Sequence, residues 1–214
     1  MTSGAALAAG IAALDLDVDA AAQAKLLRYL ELLGKWNRTH NLTAVREPER
    51  MVTHHLLDAL AILPHLPQAA DLRLIDVGSG AGVPGIPLAL ARPGWRVMLL
   101  DSNRKKSAFL RQAAAELVLP NVDVVASRVE DYVPAIHFDV AISRAFSDLA
   151  QFASAASPLV RSSGLLIAMK GTYPRAEIES LPPGMRVIAT PALTVPGLDA
   201  HRHLVIMTAS PARS

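Results

Sequence analysis

Between Ala20 and Trp36, apolar Leu26, Leu27, Leu30 and Leu33 recur at helical spacing, with Lys25, Arg28, Glu31 and Lys35 on the opposite face. Asp19 is placed to cap this helix, and Gly34 with Asn37 marks its expected end. A second helix is expected from Pro48, a favourable first-turn residue, to Leu63 before Pro64, with Met51 or Val52, Leu56, Leu60 and Leu63 as its stripe. The link between them, Asn37 to Thr43, is polar and rich in turn-forming residues.

The texture changes at Leu72. Short aliphatic or β-branched runs at Arg73–Val77, Arg96–Leu100, Val122–Ala126, Asp139–Ser143 and Gly164–Met169 now alternate with helix-like stretches at Ile86–Ala91, Arg104–Leu117 and Leu149–Val160. This is the βαβ alternation of a parallel sheet covered on both faces. Extended segments at Met185–Ala192 and His203–Thr208 suit an antiparallel hairpin closing one sheet edge. The expected architecture is α/β, with residues 1–70 as an N-terminal helical cap on a sheet domain spanning 71–214.

Composition narrows the classes. Hydrophobic residues make up 51% and charged residues 19%, too apolar a mixture for a disordered chain. With aromatics at only 4%, the core must come mainly from Ala, Leu, Val and Ile. A formal charge of +2 says nothing about partners until the positions of the charges are known. The chain has no cysteine, which excludes disulfides, thiolate metal sites and a cysteine nucleophile. No apolar run is long enough for a membrane span. The small-residue run Gly4–Leu14 has no Lys or Arg before it and acids after it, the reverse of a signal peptide, so a cytoplasmic location is expected.

The segment Leu74-Ile75-Asp76-Val77-Gly78-Ser79-Gly80-Ala81-Gly82 passes from a strand through an acid into a loop with Gly at alternate positions. Such glycines admit positive φ and let a ligand lie against the backbone, whereas a tight turn without a ligand needs fewer. Gly80-Ala81-Gly82-Val83-Pro84-Gly85 formally matches the dinucleotide fingerprint, but Pro84 lacks an N–H where a phosphate would want one. Asp76 would repel a pyrophosphate and could accept from an ammonium group, which favours S-adenosylmethionine over NAD(P). Asp101 ends the second strand 23 positions after Gly78, where a ribose-binding carboxylate belongs for either cofactor; it could equally cap the following helix. After the third strand, Ser127-Arg128-Val129-Glu130-Asp131 either reads an adenine edge or is a solvated loop.

The nucleophile is constrained by what is missing. Pyrimidine carbon-5 methylation needs a cysteine, and exocyclic-amine methylation typically uses an Asn/Asp-Pro-Pro-aromatic loop after the fourth strand. Here that place holds Ser143-Arg144-Ala145-Phe146. Guanine N7 carries a free lone pair at neutral pH, so positioning and electrostatics suffice. Arg144 could donate to guanine O6 or a phosphate, and Phe146 could stack on the base or simply fill the core.

Taken together, Lys35-Trp36-Asn37, Asn41-Leu42-Thr43, Asp76 to Leu88, Ser143-Arg144-Ala145-Phe146, Lys170-Gly171 and Arg202-His203-Leu204 resemble the RsmG (GidB) family across roughly Leu26 to Met207. The resemblance implies a class I S-adenosylmethionine-dependent methyltransferase with a Rossmann-like sheet and an antiparallel last strand. It also implies a bacterial enzyme acting on N7 of one guanosine in small-subunit ribosomal RNA. Carried over by position, Gly78, Val83, Val129, Glu130 and Arg144 would serve the cofactor, with Asp76, Gly80 and Asp101 added by the logic of the loop and second strand. Asn37, Asn41 and Lys170 would lie in loops near the target base, making Asn37, Arg144 and Lys170 the catalytic candidates; His40 is read as non-functional.

An RNA footprint should be basic and local. Its candidates are Lys35 and Arg38 in the cap, Arg104, Lys105 and Lys106 after the second strand, and Arg202 in a late loop. The expected substrate is ribosomal RNA within the small subunit, with the protein acting as a monomer. His54-His55 suggests no metal site, because adjacent helical side chains point in different directions and no third ligand is evident. Trp36 and Trp95 read as packing residues. An NAD(P) oxidoreductase and a non-catalytic ribosome-binding protein remain the alternatives; a cofactor-binding assay separates the first, and the full set of cofactor acids and glycines speaks against the second.

Overall fold

The computed structural model describes residues 2–144, 146 and 148–209. Helix α1 (Ser3–Ala13) starts on a Thr2 cap, and α2 (Ala20–His40) on Asp19, whose Oδ1 accepts from Ala22 N at 2.7 Å. The expected stop at Gly34 and Asn37 does not occur. Leu26, Tyr29, Leu30, Leu33 and Asn37 form one continuous buried stripe, and Trp36 packs on Phe109. That packing outweighs the penalty of about 1 kcal/mol for a mid-helix glycine. The helix ends instead at Asn41, in the left-handed conformation at φ 48°.

The second expected helix is interrupted. Helix α3 (Pro48–Met51) runs into a π-helical segment, Val52–Leu57, and then into α4 (Asp58–Leu60). The stripe foreseen there is buried, but so are Leu57, Ala59 and Ile62, so this helix is enclosed nearly all round. Hydropathy alone does not report an inserted residue in such a helix.

Seven strands follow the order β3-β2-β1-β4-β5-β7-β6. Strand β1 (Arg73–Val77) leads through α5 (Gly85–Ala91) to β2 (Arg96–Leu100), then through α6 (Arg104–Glu116) to β3 (Val122–Val125). Strand β4 (Phe138–Ser143) connects by α7 (Leu149–Ala156) to β5 (Val160–Lys170), and α8 (Arg175–Glu179) precedes β6 (Met185–Ala189) and β7 (His203–Ala209). Strands β1 to β5 pair in parallel, whereas β7 runs antiparallel to both β5 and β6. Strand β5 starts four residues before the predicted Gly164, with a register irregularity opposite Phe138 and Val140. The predicted helix over Leu149–Val160 ends at Ala156, giving way to a 3₁₀ turn that contains Pro158.

Successive β1 residues face opposite sides, Leu74 into one hydrophobic cluster and Ile75 into the other. The first cluster joins that sheet face to α5, α6 and the N-terminal helices, so the cap is continuous with the domain's core. The second is closed chiefly by α7. Strand order reverses between β1 and β4, and the crevice at their C-terminal ends is where open α/β sheets bind ligands. Among the described residues, no helix is long and apolar enough to cross a membrane.

Candidate active site

The loop after β1 is held by its own backbone. Gly78, Gly80 and Gly82 have φ of 73°, 57° and 90°, a run of left-handed positions that residues with Cβ atoms disfavour. Gly78 N and Ser79 N donate to Leu100 O at 2.8 and 3.0 Å, and Gly80 N donates to Asp101 Oδ2 at 2.8 Å. From the cap, the buried Tyr29 hydroxyl donates to Ala81 O at 2.6 Å. Nothing in the sequence signals this tie, because Tyr29 lies within an ordinary helical stripe.

Asp76 lies beneath the loop, fully buried. Its Oδ2 accepts from Gly85 N at 2.9 Å, while Oδ1 is buried without a partner. Burial pushes this carboxyl up to about 7. Gly85 is required there, because a Cβ would meet Asp76 Oδ2 at 2.9 Å and press into Leu99. These bonds bear on the ligand class. Gly85 N is taken by Asp76, Ile86 N by Gly82 O at 2.8 Å, and Pro84 and Pro87 have no N–H. The start of α5 therefore has no spare amide in its first turn for a pyrophosphate, which removes the basis of the dinucleotide reading.

A cleft of about 450 Å³ opens beside the loop, with Gly78, Asp101, Val129, Glu130, Lys106 and Phe146 among its walls. Asp101 Oδ1 accepts from Asn103 N at 2.8 Å, and each carboxylate oxygen keeps a second lone pair for a hydroxyl. It is Asn103, not Asp101, that caps α6, accepting from Lys105 N and Lys106 N. Asp76 and Val83 are buried outside the cleft wall, and Gly80 serves through its bond to Asp101. Lys106 lines this cleft, whereas Arg104 and Lys105 are exposed.

A second cavity, of about 310 Å³, lies at the ends of β4 and β5 and is lined by Asp58, Arg144, Met169, Lys170, Gly171 and Arg202. Arg144 belongs to this cavity and not to the cofactor cleft. Its Nη1 donates to His54 O at 3.1 Å and to Asp58 Oδ2 at 3.3 Å, while Arg202 Nε donates to Asp58 Oδ1 at 2.8 Å. Lys170 Nζ donates to Glu177 Oε2 at 2.7 Å and to Phe146 O at 3.2 Å. Phe146 packs on Phe152, between the second core and the cofactor cleft. Arg202, a candidate for the RNA footprint, is tied to a buried acid.

Asn37 also differs from expectation. It is a buried helical residue rather than a loop residue, and its amide both donates to Thr43 O and accepts from Thr43 N, each at 2.9 Å. Thr43 Oγ1 lies 2.9 Å from His55 Nε2. Burial holds His55 down at about 4, so its ring is neutral at physiological pH. Asn37 therefore fastens the 41–46 loop. His54 is separate, with Nδ1 at 2.9 Å from Arg50 O, and among the described residues no group of acids and histidines is arranged to hold a metal. Lys35 and Arg38, with Arg46, rim a groove between α1, α2 and α3. Trp95 is buried, its Nε1 donating to Ala69 O.

The sequence profile of the GidB family, described as rRNA small subunit methyltransferase G, matches residues 22–205. The chain belongs to this family. It is 53% identical to the ribosomal RNA small subunit methyltransferase G of Nitrosospira multiformis, over 94% of this chain and 95% of the relative. Against the protein of the same name from Chromobacterium violaceum it is 54% identical, over 92% and 94%. Among solved structures, a ribosomal protein L11 methylase from Lactobacillus delbrueckii subsp. bulgaricus superposes with a TM-score of 0.55 at 14% identity, covering 72% of this chain and 77% of that one. A point mutant of MtNAS in complex with S-adenosylmethionine gives 0.56 at 16% identity, covering 85% and 73%. At such identities the likeness concerns the fold, that of the class I methyltransferases.

The GidB-family chain is a methyltransferase with S-adenosylmethionine as its cofactor. Its residues fit that group. The cleft offers acceptors from Asp101 and Glu130, and an unpartnered buried carboxylate oxygen sits below the loop. The molecule brings hydroxyls, amines and positive charge, which answer acceptors of that kind.

Proposed function

We propose that this enzyme methylates N7 of one guanosine in small-subunit ribosomal RNA. The observation that carries this reading is the polarity of the second cavity: Arg144, Lys170 and Arg202 bring donors, and each acid beside them is already engaged by a cation. Among the described residues, its lining holds no free general base. It suits a nucleophile that needs no deprotonation and a substrate rich in acceptors, which guanine's Hoogsteen edge and the RNA backbone both are.

The bound cofactor supplies an electrophilic methyl group on a sulfonium. The chain's own residues position and exclude. Asp101 holds the ribose hydroxyls, Val129 and Glu130 meet the adenine, and Asp76 and Gly80 keep the loop in shape. Val83 packs beneath that loop. Arg144 and Lys170 lie toward the target base, while Asn37 acts at one remove by fixing the 41–46 loop. Lys35, Arg38, Arg104 and Lys105 meet RNA phosphates, and Arg202 meets the RNA through the second cavity. The enzyme acts as a monomer in the cytoplasm, on RNA within a partly assembled subunit.

The deciding experiment transfers labelled methyl from S-adenosylmethionine to small subunits from a strain lacking this protein, then cleaves the RNA chemically at 7-methylguanosine. A single labelled guanosine is expected. Label elsewhere, or none while calorimetry shows cofactor binding, overturns the substrate assignment. The footprint has its own check. Lys105→Glu should lower the slope of log K against log salt by about one, and Lys106→Glu should change cofactor affinity instead. Identical behaviour of the two variants removes the distinction.

A further inference from the structure

An aromatic ring projects from the surface beside the second cavity. Tyr173 is 46% exposed, and among the described residues it is the aromatic member of the exposed large apolar side chains. The others, Val118, Val133, Ile136 and Ile188, are aliphatic, and Val118 and Ile136 precede β3 and β4 at the opposite sheet edge. A single exposed apolar residue needs no explanation in itself. The place of Tyr173 and the way it is held do.

Tyr173 comes shortly after Lys170 and Gly171, which line the cavity. Its ring meets that of His203 with 5.8 Å between centroids and 74° between planes, an edge-to-face contact. His203 directly follows Arg202, another lining residue, and pairs with Lys170 in the register of β5 and β7. The segment carrying the ring is pinned on both sides. His203 Nδ1 lies 3.3 Å from Gly171 O, which can only accept, so Nδ1 is the donor. Tyr173 O accepts from Arg175 N at 3.1 Å, and Glu177 of α8 reaches back to Lys170 Nζ at 2.7 Å. Core packing is a poor account of a ring that leaves nearly half its surface in water. An exposed aromatic ring held in place beside Lys and Arg donors is how proteins take up unpaired RNA bases, the cations meeting oxygens and the ring meeting the flat face of a base.

We propose that Tyr173 is a stacking platform for the unpaired base next to the target guanosine, with His203 setting its orientation. This rests on the reading of small-subunit ribosomal RNA as the substrate. Arg144, Lys170 and Arg202 face the nucleotide in the cavity, whereas Tyr173 stands beside the cavity and not in its wall, so the base it meets is a neighbour of the one inside. A stacked neighbour has to be unpaired, which confines the enzyme to guanosines in single-stranded or loop segments.

The test measures subunit KM, kcat and cofactor affinity for wild type, Tyr173→Ala, Tyr173→Leu, Tyr173→Phe and Tyr173→Trp. Stacking needs the ring and not the hydroxyl. Tyr173→Ala and Tyr173→Leu should each raise subunit KM by about 10-fold, within the usual worth of one base–aromatic stack, with kcat and calorimetric cofactor affinity close to wild type. Tyr173→Phe should keep the wild-type KM, and Tyr173→Trp should match or lower it. A wild-type KM in Tyr173→Ala overturns the proposal. So does an equal loss in Tyr173→Phe, which assigns the effect to the hydroxyl, or full activity in Tyr173→Leu, which assigns it to any apolar contact. A loss confined to kcat, or one that follows cofactor affinity, overturns it too. If Tyr173→Ala does not fold, Tyr173→Leu against Tyr173→Phe decides. Wild-type enzyme run alongside separates the two readings. No methyl transfer to small-subunit RNA removes the proposed function and the platform with it, whereas normal transfer with no dependence on the ring removes only the platform.

Discussion

The two cavities at the sheet's C-terminal edge are built differently. The cofactor cleft is mostly backbone and short-range bonding: three left-handed glycines, Gly78 and Ser79 amides on Leu100 O, and an acid at each of two adjacent strand ends. The second cavity is made of side chains from four distant places: Arg144 and Arg202 are joined through Asp58 by ion pairs, and Lys170 pairs with Glu177. The first arrangement fixes a ligand's shape through the chain's path. The second holds flexible donors in place by charge, so its function should be more sensitive to single side-chain changes and its folding less so.

Arg144→Ala separates the two most sharply. On the role proposed for Arg144 at the target base, its removal should lower kcat by roughly 10²- to 10³-fold. Because Arg144 lies outside the cofactor cleft, calorimetry should find cofactor affinity nearly intact; a large loss of affinity would merge the two sites. Asp101→Ala is the converse. It removes the carboxylate that anchors Gly80 N and faces the cleft, and should weaken cofactor binding by about 10- to 10²-fold, the usual worth of hydrogen bonds to a charged group. An unchanged affinity would exclude Asp101 from the ribose.

This difference in construction also explains what the sequence disclosed. The alternation of strand and helix, the glycine loop and Asp101 follow from local rules, and β1 and β2 lie where hydropathy puts them. Asn37 escapes those rules because a turn-rich string, Asn37 to Thr43, carries no sign that tertiary packing extends α2 through Gly34. The second cavity is only half legible. Arg144 and Lys170 stand out after strand ends, but the pairing of Arg144 with Asp58 spans 86 positions and of Arg202 with Asp58 spans 144. One signal was available: Asp58 is the only acid or Lys/Arg between Met51 and Leu63, in an otherwise strongly apolar run. A lone acid in such a run needs a partner.

Asp76 offers a smaller, pH-dependent contrast. Burial raises its carboxyl to about 7, so near neutral pH it is partly protonated in the free protein. A cationic cofactor favours the ionised form. Affinity should therefore strengthen as pH rises through about 7, with proton release on binding below that point. The same shift acts on stability with the opposite sense. Because the folded state holds this proton and the unfolded chain does not, stability falls as pH rises from the ordinary carboxylate range to about 7. Asp76→Asn should flatten both profiles, read by calorimetry in buffers of different ionisation enthalpy and by thermal unfolding. A wild-type affinity that ignores pH would show that Asp76 is not coupled to the cofactor.

The smallest effect tests whether the cofactor cleft really owes its shape to backbone rather than to side chains. Tyr29 is a long-range side-chain tie to its loop, with the buried hydroxyl on Ala81 O at 2.6 Å, as the Ser143 hydroxyl is to Val77 O at 2.7 Å. Tyr29→Phe keeps the ring packing against Phe109 and leaves that carbonyl short of a donor, a loss of about 1 kcal/mol in stability. Because Leu100 O and Asp101 still hold Gly78, Ser79 and Gly80, cofactor affinity should fall by no more than a few-fold. Denaturation with and without cofactor reads both quantities. A loss of affinity as large as that of Asp101→Ala would mean that the loop is held from the helical cap, and that the cleft, like the second cavity, depends on a side chain brought from far along the chain.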